Sequence, residues 1–350
     1  MTNLELIAKL AGVSRGTVDR VLHNRGQVRP ETEEKVRAVM QELDFQPNAL
    51  GRAFYLSRKK NKIGILVAFR EPDFQKQVMQ GVNEGVVYAQ QHGVEVLIEY
   101  AHPDDEVLIE YAHPDDTEGY LASLRRLLDG GVRGLAIRGV LSDEIDRCLR
   151  EISREQMQIV VYNEDIRDKG LRDCFVGQNS ERAGACAACL MEQIARPGGE
   201  MLLVGVDARH VSSEERLNGF AEYFRERGTD VSHVIYGKGS HELTYRQTRD
   251  MIAAREHISG IFVSGAGLSG AAHAVDDAGL TGRIKVVGFD ITESNMSFLK
   301  KGTVQFLIDQ GPYMQGYRSV QLLTEAIFRD APVETSFVDT GIQIKNPYNC

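Results

Sequence analysis

The sequence predicts an α/β protein, in which a small all-α helix-turn-helix headpiece precedes a two-lobed domain of parallel sheets flanked by helices. The first 45 residues contain three short amphipathic helical patterns. From Lys62 onward, short apolar runs alternate with amphipathic stretches of ten to eighteen residues, which indicates parallel strands covered by helices on both faces. Because about 290 residues exceed one comfortable core, this second part is expected to form two similar lobes.

The headpiece prediction begins with a capping box, Thr2 and Glu5, before a helix whose apolar residues recur at i, i+3, i+4 and i+7. Gly12 can supply the positive φ of a tight turn, and Ser14 can cap a second helix. Pro30 fits the first turn of a third helix. This is helix-turn-helix spacing, in which the second helix enters the major groove of DNA.

The charge distribution supports a nucleic-acid module at the N-terminus. Residues 1–60 hold 11 Lys or Arg and 7 Asp or Glu, a balance of +4, whereas the whole chain carries −9. A basic end on an acidic body is typical of a separate DNA-binding unit, because neutralising phosphates supplies most non-specific affinity. The alternative is a solvated helical cap on an acidic enzyme.

The larger part contains six apolar runs that are predicted to be strands. They are Ile63–Val67, Leu135–Ile137, Ile159–Val161, Met201–Val204, Gly260–Val263 and Lys285–Phe289.

Three segments carry a family resemblance: VSRGTVDRVL at 13–22, VRPET at 28–32 and FQPNALGRA at 45–53. They resemble the lactose-repressor (LacI/GalR) family of bacterial transcription regulators. The rest of the chain resembles, more weakly, the periplasmic sugar-binding-protein-like effector domain of that family.

The resemblance implies a headpiece at 1–45, a hinge at 46–60 and an effector-binding domain at 61–350. Its lobes would exchange the chain three times, near 163–166, 290–294 and 325–330. The expected N-lobe is about 61–164 with 293–326, and the expected C-lobe is about 165–292 with 327–345.

Within the headpiece, the resemblance puts Arg15 and Gly16 at the recognition positions that vary most with operator sequence. An Arg can hold guanine O6 and N7 bidentately. Asp19 departs from the small hydroxyl residue usual in the family. In the hinge, the resemblance makes Phe54 an apolar wedge in the minor groove. The predicted DNA-binding set is Ser14, Arg15, Gly16, Thr17, Asp19, Arg20, Asn48 and Phe54.

The resemblance also implies an effector site between the lobes. Its residues are all expected where predicted strands end, the place where ligands bind in open α/β sheets. The predicted effector-binding set is Phe74, Arg138, Asn163, Glu164, Arg216, Asp290 and Gln310. A small carbohydrate-like effector is expected, although two arginines also permit a sugar acid or a sugar phosphate.

An identical eleven-residue segment occurs twice in tandem, at Glu95–Asp105 and Glu106–Asp116. Both copies carry the same strand pattern and compete for one place in the sheet. We therefore predict that one copy pairs in the sheet and that the other forms a loop or an extra edge piece. The His and Asp residues of the repeat could suggest a metal cluster, but duplication explains them better.

The segment Gly265–Gly270 reads G-x-G-x-x-G after an apolar run, and Asp290 lies twenty residues beyond its last glycine. This is the spacing of a dinucleotide-binding loop, so a nucleotide-dependent oxidoreductase is the alternative function. The loop lies late in the domain rather than at its start, and no catalytic grouping accompanies it.

Five cysteines, an odd number, with no signal peptide favour a cytoplasmic location, and no apolar stretch is long enough for a membrane span. The C-x-x-C at Cys186 and Cys189 lacks a second ligand pair. We predict no catalytic residue, no metal and no cofactor. The sequence thus favours a homodimeric regulator whose partners are double-stranded operator DNA and a small effector, with no membrane partner.

Overall fold

The computed structural model describes residues 3–22, 28–42, 61–69, 71–100, 117–154, 157–208, 210–228, 231 and 233–350. The chain forms two compact units, Met1–Lys59 and Lys60–Cys350. The hinge predicted at 46–60, with Asn48 and Phe54, lies outside the described residues.

The described residues of the first unit form the helices α1 (Asn3–Ala11), α2 (Arg15–Leu22) and α3 (Pro30–Glu42). Gly12 turns the chain between α1 and α2 with φ +66°. The helices bury one small core, formed by Ile7, Ala8, Val18, Val21 and Val36. The predicted three-helix headpiece is confirmed, because the apolar stripes of all three helices meet in this core.

The second unit is a two-lobed α/β domain built from two six-stranded sheets. In chain order its elements are β1 (Lys62–Val67), α4 (Pro72–Gln91), β2 (Glu95–Tyr100), α5 (Thr117–Asp129), β3 (Gly134–Arg138), α6 (Asp143–Arg154), β4 (Gln158–Tyr162), β5 (Cys174–Gly177), α7 (Ser180–Ile194), β6 (Glu200–Gly205), α8 (Val211–Arg225), β7 (His233–Tyr236), α9 (His241–Ala254), β8 (Ile258–Val263), α10 (Leu268–Asp277), β9 (Lys285–Phe289), α11 (Glu293–Lys301), β10 (Phe306–Asp309), α12 (Pro312–Arg329), β11 (Phe337–Asp339) and β12 (Gln343–Lys345).

The N-lobe sheet has the order β11-β5-β4-β3-β1-β2, and the C-lobe sheet has the order β12-β10-β9-β8-β6-β7. All neighbouring strands are parallel except β10 and β12. Helices α4 and α12 cover one face of the N-lobe sheet, and α5 and α6 cover the other. Helices α7 and α8 cover one face of the C-lobe sheet, and α9 to α11 cover the other. All six predicted runs lie in strands, each buried between two helical layers.

The predicted lobe boundaries are wrong. The chain crosses between lobes after β5, after β10 and after β11, at about 178–179, 310–311 and 340–342 rather than near 163–166, 290–294 and 325–330. The N-lobe therefore extends past 164, and the segment 293–310 belongs to the C-lobe. The physical reason is that one further short strand joins the sheet before each crossing, and strands of three or four residues leave little periodic signal in a sequence.

The tandem repeat places its first copy in the N-lobe sheet. Glu95–Tyr100 forms β2, which pairs parallel with β1 from Lys62↔Glu95 to Val67↔Tyr100. The prediction that one copy pairs in the sheet is confirmed for this first copy. The second copy, residues 106–116, lies outside the described residues.

Candidate functional site

Helix α2 presents the predicted recognition residues of the headpiece. Arg15, Gly16 and Arg20 are exposed, while Val18 and Val21 on the opposite side are buried. Ser14 precedes the helix, and its Oγ accepts a hydrogen bond from the backbone N–H of Thr17 at 3.1 Å. This is an N-cap that fixes where the helix begins. One face of α2 therefore packs in the headpiece core, and the other is exposed.

A cavity of about 460 Å³ lies between the two lobes of the second unit. Its walls come from the carboxyl ends of strands in both sheets, from the loops that follow them and from the first two turns of helices. The expectation that the whole predicted set lies at strand ends is wrong for Phe74 and Arg216, which lie in α4 and α8. All seven residues of the predicted effector set line it: Phe74, Arg138, Asn163, Glu164, Arg216, Asp290 and Gln310. The prediction of their roles remains a prediction, but the fold does bring them together.

The N-lobe wall combines aromatic and polar groups. Phe74, in the first turn of α4, packs against Phe69 with ring centroids 5.1 Å apart. Arg138 ends β3, and its guanidinium lies 5.6 Å from the Phe69 ring centre. The Arg138 Nε donates to Asn163 Oδ1 at 3.0 Å, which orients both side chains at the ends of neighbouring strands. Tyr120, which the sequence did not single out, holds the backbone of Arg138 by donating to its carbonyl at 2.7 Å.

The C-lobe wall is organised around Gln310, which lies where the chain crosses back to the N-lobe. Its Oε1 accepts from Arg216 Nη2 at 3.0 Å, and its Nε2 donates to Asp290 Oδ1 at 2.6 Å. Arg216 also donates through Nη1 to the carbonyl of Ser264 at 2.9 Å and lies 3.9 Å from the ring centre of Phe289. The buried Nε of Arg216 has no hydrogen-bond partner among the described residues. A buried donor of this kind calls for an explanation, and a polar ligand atom would supply one.

Three non-glycine residues that line the cleft, Asn163, Lys238 and Asp290, adopt left-handed backbone conformations, which residues with side chains rarely adopt. Asn163 has φ +65° and Asp290 has φ +74°, each directly after a strand. Such strain costs about 1–3 kcal/mol and is concentrated at functional sites. At Asn163 and Asp290 the left-handed conformation ends the strand and turns the chain, and both residues line the cavity.

The pKa values of two acidic cleft residues, Asp290 and Glu164, are shifted in opposite directions. Burial raises the pKa of Asp290, against the lowering effect of Arg216 and of the hydrogen bond from Gln310. Burial would also raise the pKa of Glu164, but His210, Arg138 and neighbouring donors outweigh burial and lower it. His210 lines the cavity and was also missed, because its only sequence signal is its place just before a helix.

The glycines of the 265–270 segment have a packing explanation. Gly267 has φ +105° at the start of α10, and a Cβ there would lie 2.6 Å from Thr244 Oγ1. A Cβ on Gly270 would lie 2.3 Å from the carbonyl oxygen of His241. The close packing of α9 against α10 is therefore enough to explain Gly267 and Gly270, and no bound dinucleotide is needed to account for them.

Two further properties bear on the chemistry of the described part of the chain. No group of three or more His, Cys, Asp or Glu side chains in these ranges is arranged to hold a metal ion. Among the described helices, none combines the length and apolar character needed to cross a membrane.

Comparison with known protein families gives two matches. Residues 3–48 match the model for bacterial regulatory proteins of the lacI family, and residues 63–329 match the model for the periplasmic binding protein domain.

Among curated proteins, the chain is 27% identical over 342 residues to the ribose operon repressor of Halalkalibacterium halodurans. The alignment covers 96% of this chain and 93% of that protein. It is 25% identical over 295 residues to the HTH-type transcriptional repressor PurR of Pectobacterium carotovorum subsp. carotovorum. That alignment covers 83% of this chain and 81% of the repressor.

Among solved structures, an arabinose binding protein from Geobacillus stearothermophilus covers 83% of this chain and 98% of its own, with a TM-score of 0.68 and 20% identity. The fold of the larger unit is thus that of periplasmic binding proteins.

Proposed function

Because this chain belongs to the LacI family of bacterial regulatory proteins and its larger unit is a periplasmic binding protein domain, we propose that it represses transcription under the control of a carbohydrate-like effector. The headpiece binds operator DNA, the cleft binds the effector, and the chain acts as a cytoplasmic homodimer without catalytic activity. Two-fold symmetry of the dimer would match a pseudo-palindromic operator.

The observation that carries the effector assignment is the arrangement around Arg216. A buried guanidinium donor without a partner among the described residues belongs to the same wall as the Asp290 carboxylate, and Gln310 holds both side chains in place. A donor and an acceptor fixed together suit adjacent hydroxyl groups, since each hydroxyl both donates and accepts. The aromatic ring of Phe74 adds an apolar face for the C–H surface of a sugar ring.

The charges of the cleft favour a neutral effector over an acidic one. Arg138, Arg216 and Lys238 carry positive charge, but five acidic side chains line the same cavity: Glu71, Glu164, Asp165, Asp207 and Asp290. A sugar acid or phosphate would bring a further negative charge against these acidic groups, which is unfavourable in a partly desolvated site. Neutral monosaccharides and polyols therefore come first among the candidates.

The effector assignment is tested by a thermal-shift screen of the full chain against D-ribose, L-arabinose, D-fucose, polyols, sugar acids and sugar phosphates. A ligand that binds only the folded state raises the melting temperature, by an amount that grows with concentration. We expect neutral sugars to stabilise the protein and acidic derivatives to do so less. Stabilisation by NAD and by none of these compounds would instead support the oxidoreductase alternative.

The DNA assignment is tested by selecting duplexes from a random library and measuring their affinity at several salt concentrations. Arg15→Ala should relax base preference by about 1–3 kcal/mol at one base pair, because Arg15 is exposed on the recognition helix. The matched control is Arg37→Ala, an exposed position on α3 that forms an ion pair with Glu33. An unchanged ranking of duplexes in the Arg15 variant would contradict its role in base readout.

A further inference from the structure

Two acidic side chains of the N-lobe bind backbone N–H groups at the N-termini of two C-lobe helices. Glu164, after β4, accepts from the Ser212 N–H through Oε2 at 3.2 Å and from the Ser212 hydroxyl through Oε1, at the start of α8. Asp73, in the first turn of α4, accepts from the Glu293 N–H at 2.8 Å, at the start of α11. The two contacts join the lobes at separate places.

A third contact supports the Asp73 connection. Gln77, one turn further along α4, donates through Nε2 to the carbonyl oxygen of Ile291 at 3.0 Å. Ile291 lies between β9 and α11, so the first turns of α4 hold both the loop before α11 and the first turn of α11 itself.

Both oxygens of the Glu164 carboxylate have partners on the C-lobe. Besides Ser212, the Nδ1 of His210 lies 3.4 Å from its Oε1. Glu164 is buried, and Ser212 is buried with it. The sequence predicted that Glu164 binds an effector hydroxyl, but its oxygens already have partners on the opposite lobe.

We propose that Glu164 and Asp73 are positioning residues that hold the effector cleft closed by capping helices of the opposite lobe. This inference rests on the proposed effector function of the same cleft, and it gives Glu164 a role different from that of a sugar ligand. The first N–H groups of a helix have no partner within the helix, and its positive dipole end favours an anion. An acidic side chain from the facing lobe satisfies both requirements only while the lobes are together.

The consequence is that part of the free energy of closure comes from the protein itself. We call the Glu164–Ser212 and Asp73–Glu293 contacts the two ties between the lobes. If the ties keep a larger fraction of ligand-free molecules in the closed state that binds the effector, less of the binding free energy is spent on closing the cleft. Removing a tie should then weaken binding by opening the cleft, even though no effector contact has been removed.

The test uses the full chain with Glu164→Gln, Asp73→Asn and the double variant. The control is Glu222→Gln on α8, which replaces an exposed carboxylate whose ion pair with Arg225 lies within one lobe. Ligand-free protein is measured by small-angle X-ray scattering and by hydrogen exchange of the peptides that contain Ser212 and Glu293.

We expect the variants to show a larger radius of gyration and faster amide exchange at the helix start that has lost its cap, with the double variant most affected and the control unchanged. Binding of the sugar that stabilises the wild-type protein should weaken roughly tenfold for each tie. Saturating sugar should restore the compact scattering profile.

Weaker sugar binding with unchanged ligand-free scattering and exchange would overturn the proposal and identify Glu164 as a direct ligand. Unchanged values in all three measurements would overturn it as well. The ligand-free measurements need no effector, so their outcome is separate from a failure of the proposed effector function.

Discussion

Replacing Asp290 with Asn should separate effector binding from folding. Asp290 lies in the cleft wall, where its Oδ1 accepts from Gln310 Nε2 at 2.6 Å. Asn has the same shape and can still accept from Gln310 through its amide oxygen. The substitution therefore removes the negative charge while keeping the geometry.

The effect on stability follows from the direction of the Asp290 pKa. Burial raises this pKa above its ordinary value of 3.8, so the folded protein binds the proton more tightly than the unfolded chain does. The stability that Asp290 contributes is fully present below pH 3.8 and is lost as the pH rises through the raised pKa. At pH 7 the Asp290→Asn protein should therefore melt at the same or a higher temperature than the wild type, and the difference should shrink towards pH 4.

The same substitution should weaken sugar binding, although it does not lower stability. A hydrogen bond to a charged group contributes about 1.5–3 kcal/mol, which corresponds to a roughly 10- to 150-fold rise in the Kd for a sugar hydroxyl. Isothermal titration with the sugar found in the screen measures this change, and thermal melts at pH 4 and pH 7 measure stability.

The control for this prediction is Asp276→Asn, a partly buried carboxylate that binds Lys301 and does not line the cleft. It should leave the Kd unchanged. An Asp290→Asn protein that binds sugar as well as the wild type, or that loses stability at pH 7, would refute the reasoning.

Three further predictions concern other parts of the chain. Ser14→Ala should destabilise the headpiece by about 0.5–2 kcal/mol through loss of the α2 N-cap, measured by helix melting of the headpiece, while Ser14→Asn should retain most of the cap. Gly184→Ala should cost about 1–3 kcal/mol and also weaken sugar binding, because the new Cβ would lie 2.0 Å from the carbonyl oxygen of Arg216; unchanged melting and Kd would show that α7 and α8 can separate freely. Phe54→Ala should weaken specific operator binding with little effect on non-specific DNA, and an equal loss on both in a gel-shift assay would contradict the minor-groove role.

Much of the candidate site could be predicted before the structure because strand ends carry it. Asn163 and Asp290 directly follow apolar runs that are long enough to be recognised as strands, and parallel strands bring their carboxyl ends to one edge of a sheet. His210 and Tyr120 could not be found in this way. One precedes a helix and the other lies within a helix, and nothing in their neighbourhood in the sequence marks the side that faces the cleft.

The amino-acid pattern alone was enough to predict the local elements: helices α1 to α3, the buried strands between amphipathic helices, and the polar residues at the strand ends. Their signals are periodicity, capping and charge, which are properties of neighbouring residues. Three features could be learned only from the folded chain: where it crosses between lobes, that the first repeat copy pairs with β1, and that Glu164 binds the start of α8, 48 residues away. These depend on contacts between distant segments, whose free energy arises from packing and desolvation in the folded chain and leaves no periodic trace in the sequence.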